Sequence, residues 1–287
     1  MTSLGEDLLG WASAHGRDLP WRRTRDPWAV LVSELMLQQT QVARVVERWP
    51  AFLSRFPDPA TCAAGPAGEV VRMWAGLGYN RRALNLHRTA VVVMAAHGGE
   101  LPDRLDALLA LPGIGPYTAR AVLAFAFERD VGVLDTNAAR VLARAVAGQR
   151  LGRAEAQRAA DALVPTGRGW AWNQAMLDLG ATVCTARAPA CGRCPLARAC
   201  RWHQAGSCWP DPADGSGGTS GRQSRFEGSD RQGRGRLIDA LRAAPVTIEG
   251  VPAACGWPTD EPRSRRVADG LILDGLAVQE EGTLRLP

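Results

Sequence analysis

The sequence predicts an all-α protein that ends in a small helix-and-hairpin unit, and three observations carry that prediction. From residue 1 to about residue 203, apolar side chains recur three and four positions apart, with Gly, Pro or Asp between the runs. Strand signals are nearly absent there. A Gly/Ser-rich stretch then separates this region from a final segment with its own punctuation.

Taken in order, WAVLVSELMLQQTQVARVVERW, GEVVRMWAGL, RRALNLHRTAVVVMAAHG, LDALLAL, PYTARAVLAFAF, NAARVLARAV and EAQRAADALV each read as helices by their apolar spacing. Residues 205–232, centred on GSGGTSGRQS, read as a flexible linker. Beyond it, helices are expected at Arg236 to Ala243, near Ile248 to Ala254 and at Pro262 to Leu273. A hairpin, LAVQEEGTLRLP, then turns at Glu281 and Gly282. Three short helices and a hairpin follow the order of a winged helix, which binds DNA, contacts proteins or caps a fold.

With 287 residues, 46% hydrophobic and 22% charged, the chain can bury one large core or two moderate ones, which excludes disordered and fibrous classes. A formal charge of +5 favours a polyanionic partner. All 34 basic residues are arginine, so no lysine Schiff base can form. The longest apolar stretches, such as Ala90 to Ala96, are too short to span a membrane. The opening MTSLGEDLLGW has acidic residues where a secretory leader is basic, so a cytoplasmic setting with reduced thiols is expected.

Cys184, Cys191, Cys194 and Cys200 stand with six, two and five residues between them. Thiolates are the ligands of zinc and of iron–sulfur clusters. Two cysteines two residues apart rarely meet disulfide geometry, and the intervening TARAPA, GR and PLARA suit a segment that wraps a metal centre. Only one CxxC pair is present, unlike the two of a zinc ribbon, yet ligand type alone leaves zinc and iron–sulfur both open. Cys62, Cys208, Cys255 and the four histidines lack partner spacing and read as ordinary residues.

In LPGIGPYTARAV, Gly113 and Gly115 sit two apart between helical stretches. Such a turn leaves the N–H groups of the following helix free for an anion, and a nucleic-acid phosphate fits there. Further on, VLDTNAARVLAR starts another helix at Asp135 and Asn137, where an acidic side chain serves as an N-cap or as a functional carboxylate.

Together, LPGIGPYTAR, VLDTN, NQAMLDLGATVC and the four cysteines resemble the helix-hairpin-helix DNA glycosylases that carry a 4Fe-4S cluster. Within them LPW (Leu19 to Trp21), SELMLQQTQV (Ser33 to Val42) and WAGLGY (Trp74 to Tyr79) resemble the MutY-type adenine DNA glycosylases. The resemblance covers about residues 8–203. It implies one 4Fe-4S cluster on Cys184, Cys191, Cys194 and Cys200, and a monomer acting on double-stranded DNA in the bacterial nucleoid. It also implies two lobes: a cluster lobe from 1–22 and 137–204, and a helical lobe at 23–136. The winged-helix-like unit at 233–287 follows the linker.

The implied reaction is hydrolysis of the N-glycosidic bond of adenine mispaired with 8-oxoguanine or guanine. Glu34 falls on the family's general acid, which protonates the leaving base. It must carry its proton near neutral pH, and the neighbouring Leu31, Val32, Leu35 and Met36 supply the apolar surroundings that favour this. Asp135 falls on the carboxylate that stabilises the oxocarbenium-like sugar, with Asn137 beside it. Gln38, Gln39, Thr40, Leu77 and Tyr79 fall on positions that probe or wedge beside the opposite base, Tyr79 as the stacking wedge. Gly113, Gly115 and Tyr117 belong to the DNA-binding hairpin, and Trp21, Arg22, Trp28 and Gln174 are candidates for the wall of the adenine pocket. Arg193, Arg198 and Arg201 would face phosphates.

The chain also departs from that family. Asn80 stands where a second tyrosine is usual, Thr136 where glycine is frequent, and Tyr117 where the related endonuclease III has its Schiff-base lysine. The tail is too short for the family's Nudix-like domain. These departures keep two alternatives open: a mismatch glycosylase for another base, such as thymine opposite guanine, and a non-catalytic iron–sulfur DNA-binding or redox-sensing protein.

Overall fold

The computed structural model describes residues 3–217 and 225–287. Its helices are α1 (Ser3–His15), α2 (Pro27–Leu37), α3 (Val42–Arg55), α4 (Pro59–Ala64), α5 (Ala67–Met73), α6 (Arg81–Ala96), α7 (Leu105–Leu109) and α8 (Pro116–Phe125). They continue with α9 (Thr136–Val141), α10 (Arg153–Ala162), α11 (Gly169–Thr182), α12 (Arg201–Gln204), α13 (Asp230–Ala243), α14 (Val251–Cys255) and α15 (Glu261–Leu273). The expected all-helical body is present. None of the described helices is long and apolar enough to cross a membrane.

The chain divides into two compact units, Met1–Val30 with Asp103–Leu109 and Ile114–Arg222, and Leu31–Pro102 with Ala110–Gly113 and Gln223–Pro287. In the first, Leu8 of α1, Val141 at the end of α9, Leu142 after it, and Trp172, Ala175, Met176 and Leu179 of α11 belong to the core. A charged knot ties α11 to the segment after α1. The Asp178 carboxylate, 1% exposed, accepts from Arg17 Nε at 2.5 Å and from Arg22 Nη1 and Nη2 at 2.7 and 2.8 Å. Burial pushes the Asp178 carboxyl up, but the bonds and charges of Arg22 and Arg17 outweigh it, and its pKa is lowered.

The second unit packs α4 and α5 against α6 over a ring cluster in which Phe52 meets Phe56 at 5.2 Å and Trp74 edge-on at 5.9 Å. The carboxy-terminal segment belongs to this same unit, whereas the sequence-based boundaries set 233–287 apart. Its α13, α14 and α15 accompany a three-stranded antiparallel sheet of order β1-β3-β2, built from Val246–Thr247, Val278–Glu280 and Thr283–Arg285. Glu281 and Gly282 both take positive φ at the hairpin turn, which glycine favours and which glutamate adopts at a cost. The strand β1 has two residues, too few for a periodic signal. The end of the chain is seated on α5, where Gly68 N–H donates to Pro287 O at 2.7 Å; a Cβ on Gly68 would lie 2.3 Å from that oxygen.

The expected linker is only partly one. Residues 218–224 lie outside the described residues, but Asp211 to Gly217 pack on the first unit. Gly217 N–H donates to Leu151 O at 2.8 Å, Leu151 N–H to Ser216 Oγ at 3.1 Å, and Asp211 pairs with the buried Arg144. Composition hid this because two polar side chains, Asp211 and Ser216, make the attachment.

Replacing Asp178 by Asn should destabilise the protein by about 3 kcal/mol, because it strands the buried Arg22. Since the folded-state pKa is lowered from 3.8, the contribution of Asp178 is complete above that value and is lost as pH falls through the folded-state value. Urea unfolding of both proteins from neutral to acidic pH should show the two curves converging as pH falls; parallel curves would sink this assignment.

Candidate functional site

Helix α2 is not amphipathic. Every residue from Trp28 to Met36 is buried, Glu34 included at 4% exposure, and Glu34 Oε2 is fully enclosed. A solvated helix glutamate is thereby excluded. Trp28 lies on the same helix at 2% exposure.

The end of α2 and the turn before α6 are joined by a residue with no sequence signal as a site. Arg82, 7% exposed, donates through Nη1 to the carbonyls of Leu35, Met36 and Gln38 at 2.7, 2.9 and 2.5 Å. Its Nη2 donates to Leu77 O, Gly78 O and Thr40 Oγ1 at 3.0, 2.9 and 3.0 Å. Thr40 Oγ1 itself donates to Leu77 O at 3.1 Å. Burial pulls the guanidinium down to about 10, still protonated at neutral pH. This fork brings Gln38, Gln39, Thr40, Leu77 and Tyr79 into one region of the second unit. Gln39 and Tyr79 both hold left-handed backbone, φ 54° and 46°, a conformation costly for side chains of this size. Tyr79 nevertheless stays 42% exposed while Leu77 is buried.

Gly113, in the same unit, has φ 74°, and a Cβ there would lie 2.4 Å from Asn85 Nδ2, so the hairpin requires glycine. Gly115 precedes Pro116 at the start of α8, and Tyr117 is half-buried in the first turn.

In the first unit, Asp135 is the N-cap of α9 and more than that. Its Oδ1 accepts from Ala138 N–H at 2.7 Å, while Oδ2 accepts from Asn137 Nδ2 at 2.8 Å. Burial pushes this carboxyl up, opposed by those two hydrogen bonds and by the charge of Arg140. Arg140 Nη2 donates in turn to Asn137 Oδ1 at 2.8 Å and to Gly180 O at 2.6 Å, and its Nε to Cys184 O at 2.6 Å. Gly180 permits the approach of α11 to α9, since a Cβ there would lie 2.6 Å from that of Asn137. Gln174 is buried on α11. Trp21 is also buried, but the donors of Arg22 are directed to Asp178 and Arg17 O. Glu34 and Asp135 therefore belong to different units.

Cys184, Cys191, Cys194 and Cys200 line one cavity, together with Arg144, Leu196, Trp202 and His203. Burial pushes the Cys194 thiol up to about 11 and also raises Cys184 and Cys200, so without a cation these sulfurs favour the thiol form. A metal reverses that preference by binding the thiolate. The four sulfurs ring a space, and no three His, Cys, Asp or Glu side chains among the described residues converge on one ion. A single zinc draws its thiolates to about 2.3 Å, whereas a cluster spreads them around a larger body. Four thiolate donors around one cavity are a set that either centre uses. Arg144, with Nη1 at 3.5 Å from Cys184 Sγ and 2.7 Å from Thr185 O, braces the loop.

Residues 32–165 match the HhH-GPD superfamily of base excision DNA repair proteins. The chain is 45% identical over 278 residues to the adenine DNA glycosylase of Mycolicibacterium smegmatis, covering 95% of this chain and 92% of that one. It is 39% identical over 218 residues to the human adenine DNA glycosylase, covering 71% and 40%. It belongs to the adenine DNA glycosylase family. Among solved structures, a thermostable thymine-DNA glycosylase superposes with a TM-score of 0.66 at 29% identity, covering 71% of this chain and 95% of that one. A trapped endonuclease III–DNA intermediate shares the fold, with a TM-score of 0.63 at 23% identity over 72% of this chain and all of that one.

Arg82→Met should cost about 3 kcal/mol or more by stranding buried carbonyls, and Arg82→Lys should recover little because one ammonium cannot reproduce the fork. An unfolding free energy from urea titration for Arg82→Met within about 0.5 kcal/mol of the parent would contradict this role.

Proposed function

We propose that this protein removes adenine mispaired with 8-oxoguanine or guanine by hydrolysing its N-glycosidic bond. One observation carries the reading: the near-full-length relation to an adenine DNA glycosylase, with Glu34 enclosed on α2 where the family motif has its acid. Adenine is a poor leaving group as an anion. Glu34 protonates the base so that it departs neutral, an assistance typically worth about 10² to 10⁴ in rate. The enclosure of Glu34 supports this role, because an anion there loses its hydration.

Asp135 faces the positive charge that develops on the sugar. At about 4 Å and an effective dielectric of about 20, that attraction is about 4 kcal/mol. Asn137 holds the carboxylate in place. Tyr79 fills the stack left by the extruded nucleotide, with Gln38, Gln39, Thr40 and Leu77 beside the opposite base. The hairpin at Gly113 and Gly115, with Tyr117 on the next turn, takes a backbone phosphate at the start of α8. Trp21 and Gln174 line the adenine pocket, and Arg22 contributes through its grip on Asp178. The protein acts as a monomer in the cytoplasm, on the nucleoid.

Cys184, Cys191, Cys194 and Cys200 hold a 4Fe-4S cluster. Its contribution is structural: it fixes a basic loop with Arg193 and Arg198 for contact with DNA, and the hydrolysis moves no electron. The absence of lysine leaves water as the nucleophile, without Schiff-base strand cleavage.

Single-turnover assays on duplexes with A opposite 8-oxoguanine, A opposite G, T opposite G and thymine glycol should give release from the first two only; release of thymine without adenine would overturn the reading. Glu34→Gln and Asp135→Asn should each lower the rate by at least about 10² while leaving duplex binding intact. The purified protein should be brown, with visible absorption lost together with its iron. A colourless protein containing one zinc would exclude the cluster.

A further inference from the structure

The carboxy-terminal helices reach the wedge turn through Arg242, and the start of α6 just beyond it through Asp274, which pairs with Arg81 at 3.4 Å. Arg242, on the last turn of α13 and 11% exposed, donates from Nη2 to Asn80 Oδ1 at 2.6 Å and from Nε to Val71 O at 3.1 Å, while Asp239 holds its Nη1. Asn80 immediately follows Tyr79, and it occupies the N-cap position of α6. Asparagine there ordinarily accepts from the N–H groups of the first helical turn. Asn80 makes no such cap bond; its side-chain oxygen is turned to Arg242 instead.

The neighbouring geometry explains why such an anchor is useful. Tyr79 sits at φ 46° with Gly78 at 69° and Gly76 at 81° before it, so three residues of the turn hold left-handed backbone and one is an exposed aromatic. Glycine-rich backbone does not keep such a conformation without outside support. Arg82 fixes the turn from below through Leu77 O, Gly78 O and Tyr79 O. Arg242 fixes it from the side. Burial lowers the pKa of Arg242, the charge and hydrogen bond of Asp239 oppose that, and the like-charged Arg48 adds a smaller repulsion.

We propose that Arg242 is a positioning residue, through which the winged-helix-like unit holds the Tyr79 wedge by way of Asn80. The proposal rests on the glycosylase reading above. It gives the tail a part in opposite-base discrimination that needs no contact between the tail and the damaged base.

The test is a double-mutant cycle with two readouts. Wedge insertion is followed by 2-aminopurine fluorescence beside the opposite base, in a duplex whose target 2′-fluoroadenosine resists cleavage; adenine release is followed on the cleavable duplex. Arg242→Ala and Asn80→Ala should each slow release by about tenfold to a hundredfold and lower the fluorescence change, and the double variant should lose no more than either. Asn80→Asp keeps the acceptor and should retain the signal. Additive losses, or an unchanged fluorescence response in Asn80→Ala, would overturn the proposal. If Arg242→Ala fails to fold, the Asn80→Ala and Asn80→Asp pair decides. Should the parent protein release no adenine while the fluorescence cycle behaves as expected, the glycosylase reading fails and the positioning role stands.

Discussion

A single buried cation organises the second unit. The chain leaves α2 without a continuing helix, so the last carbonyls of that helix need donors, and the glycine turn before α6 presents carbonyls of its own. Arg82 answers both with one fork, packed between the rings of Trp74 and Tyr79 at 5.5 and 5.6 Å. A planar guanidinium can bond two peptide segments at once, and its charge suits the negative end of a helix. The placement of Gln38, Thr40 and Leu77 follows from that arrangement, as does the exposure of Tyr79. An apolar residue at position 82 would leave the same carbonyls buried and unbonded.

The first unit shows a comparable economy around Asp135. The carboxylate is fixed by Asn137, Asn137 by Arg140, and Arg140 by the carbonyls of Gly180 and Cys184. A continuous set of hydrogen bonds thus runs from the cysteine loop to the carboxylate. Order in that loop therefore bears on the geometry of Asp135 without any electron leaving a metal. Arg144 joins the same loop to Asp211, so the segment that composition marked as linker helps to brace it.

Much of this was legible in the sequence, for identifiable reasons. The helices were visible because apolar spacing survives in a one-dimensional reading, and the tail hairpin because Gly282 supplies positive φ between two short strand-like runs. Glu34 stood out because its apolar neighbours lie on every side of the helix, not along one stripe. Arg82 and Arg242 were invisible. In a chain whose 34 basic residues are all arginine, no local pattern separates a buried arginine that bonds carbonyls from one that faces solvent. Arg22 has the same ambiguity, since its partner Asp178 lies 156 positions away. Long-range polar pairings of this kind leave no periodicity to find.

The helical positions of the two carboxyl groups also sort their proposed roles. Glu34 lies in the last turn of α2 among apolar side chains on every side, with Oε2 enclosed. That desolvation suits an acid that must arrive carrying a proton. Asp135 stands at the opposite kind of terminus, ahead of α9, with the N–H of Ala138 and the amide of Asn137 directed at its two oxygens. Those donors favour the ionised form, but burial outweighs them and raises the carboxyl above its ordinary range, so a positive charge developing beside it is what draws it back to the carboxylate. The two carboxyl groups thus differ in what surrounds them, apolar side chains for Glu34 and directed donors for Asp135. The same logic explains why the chain manages without lysine: with proton and charge assigned to separate carboxyl groups, the reaction requires no amine nucleophile.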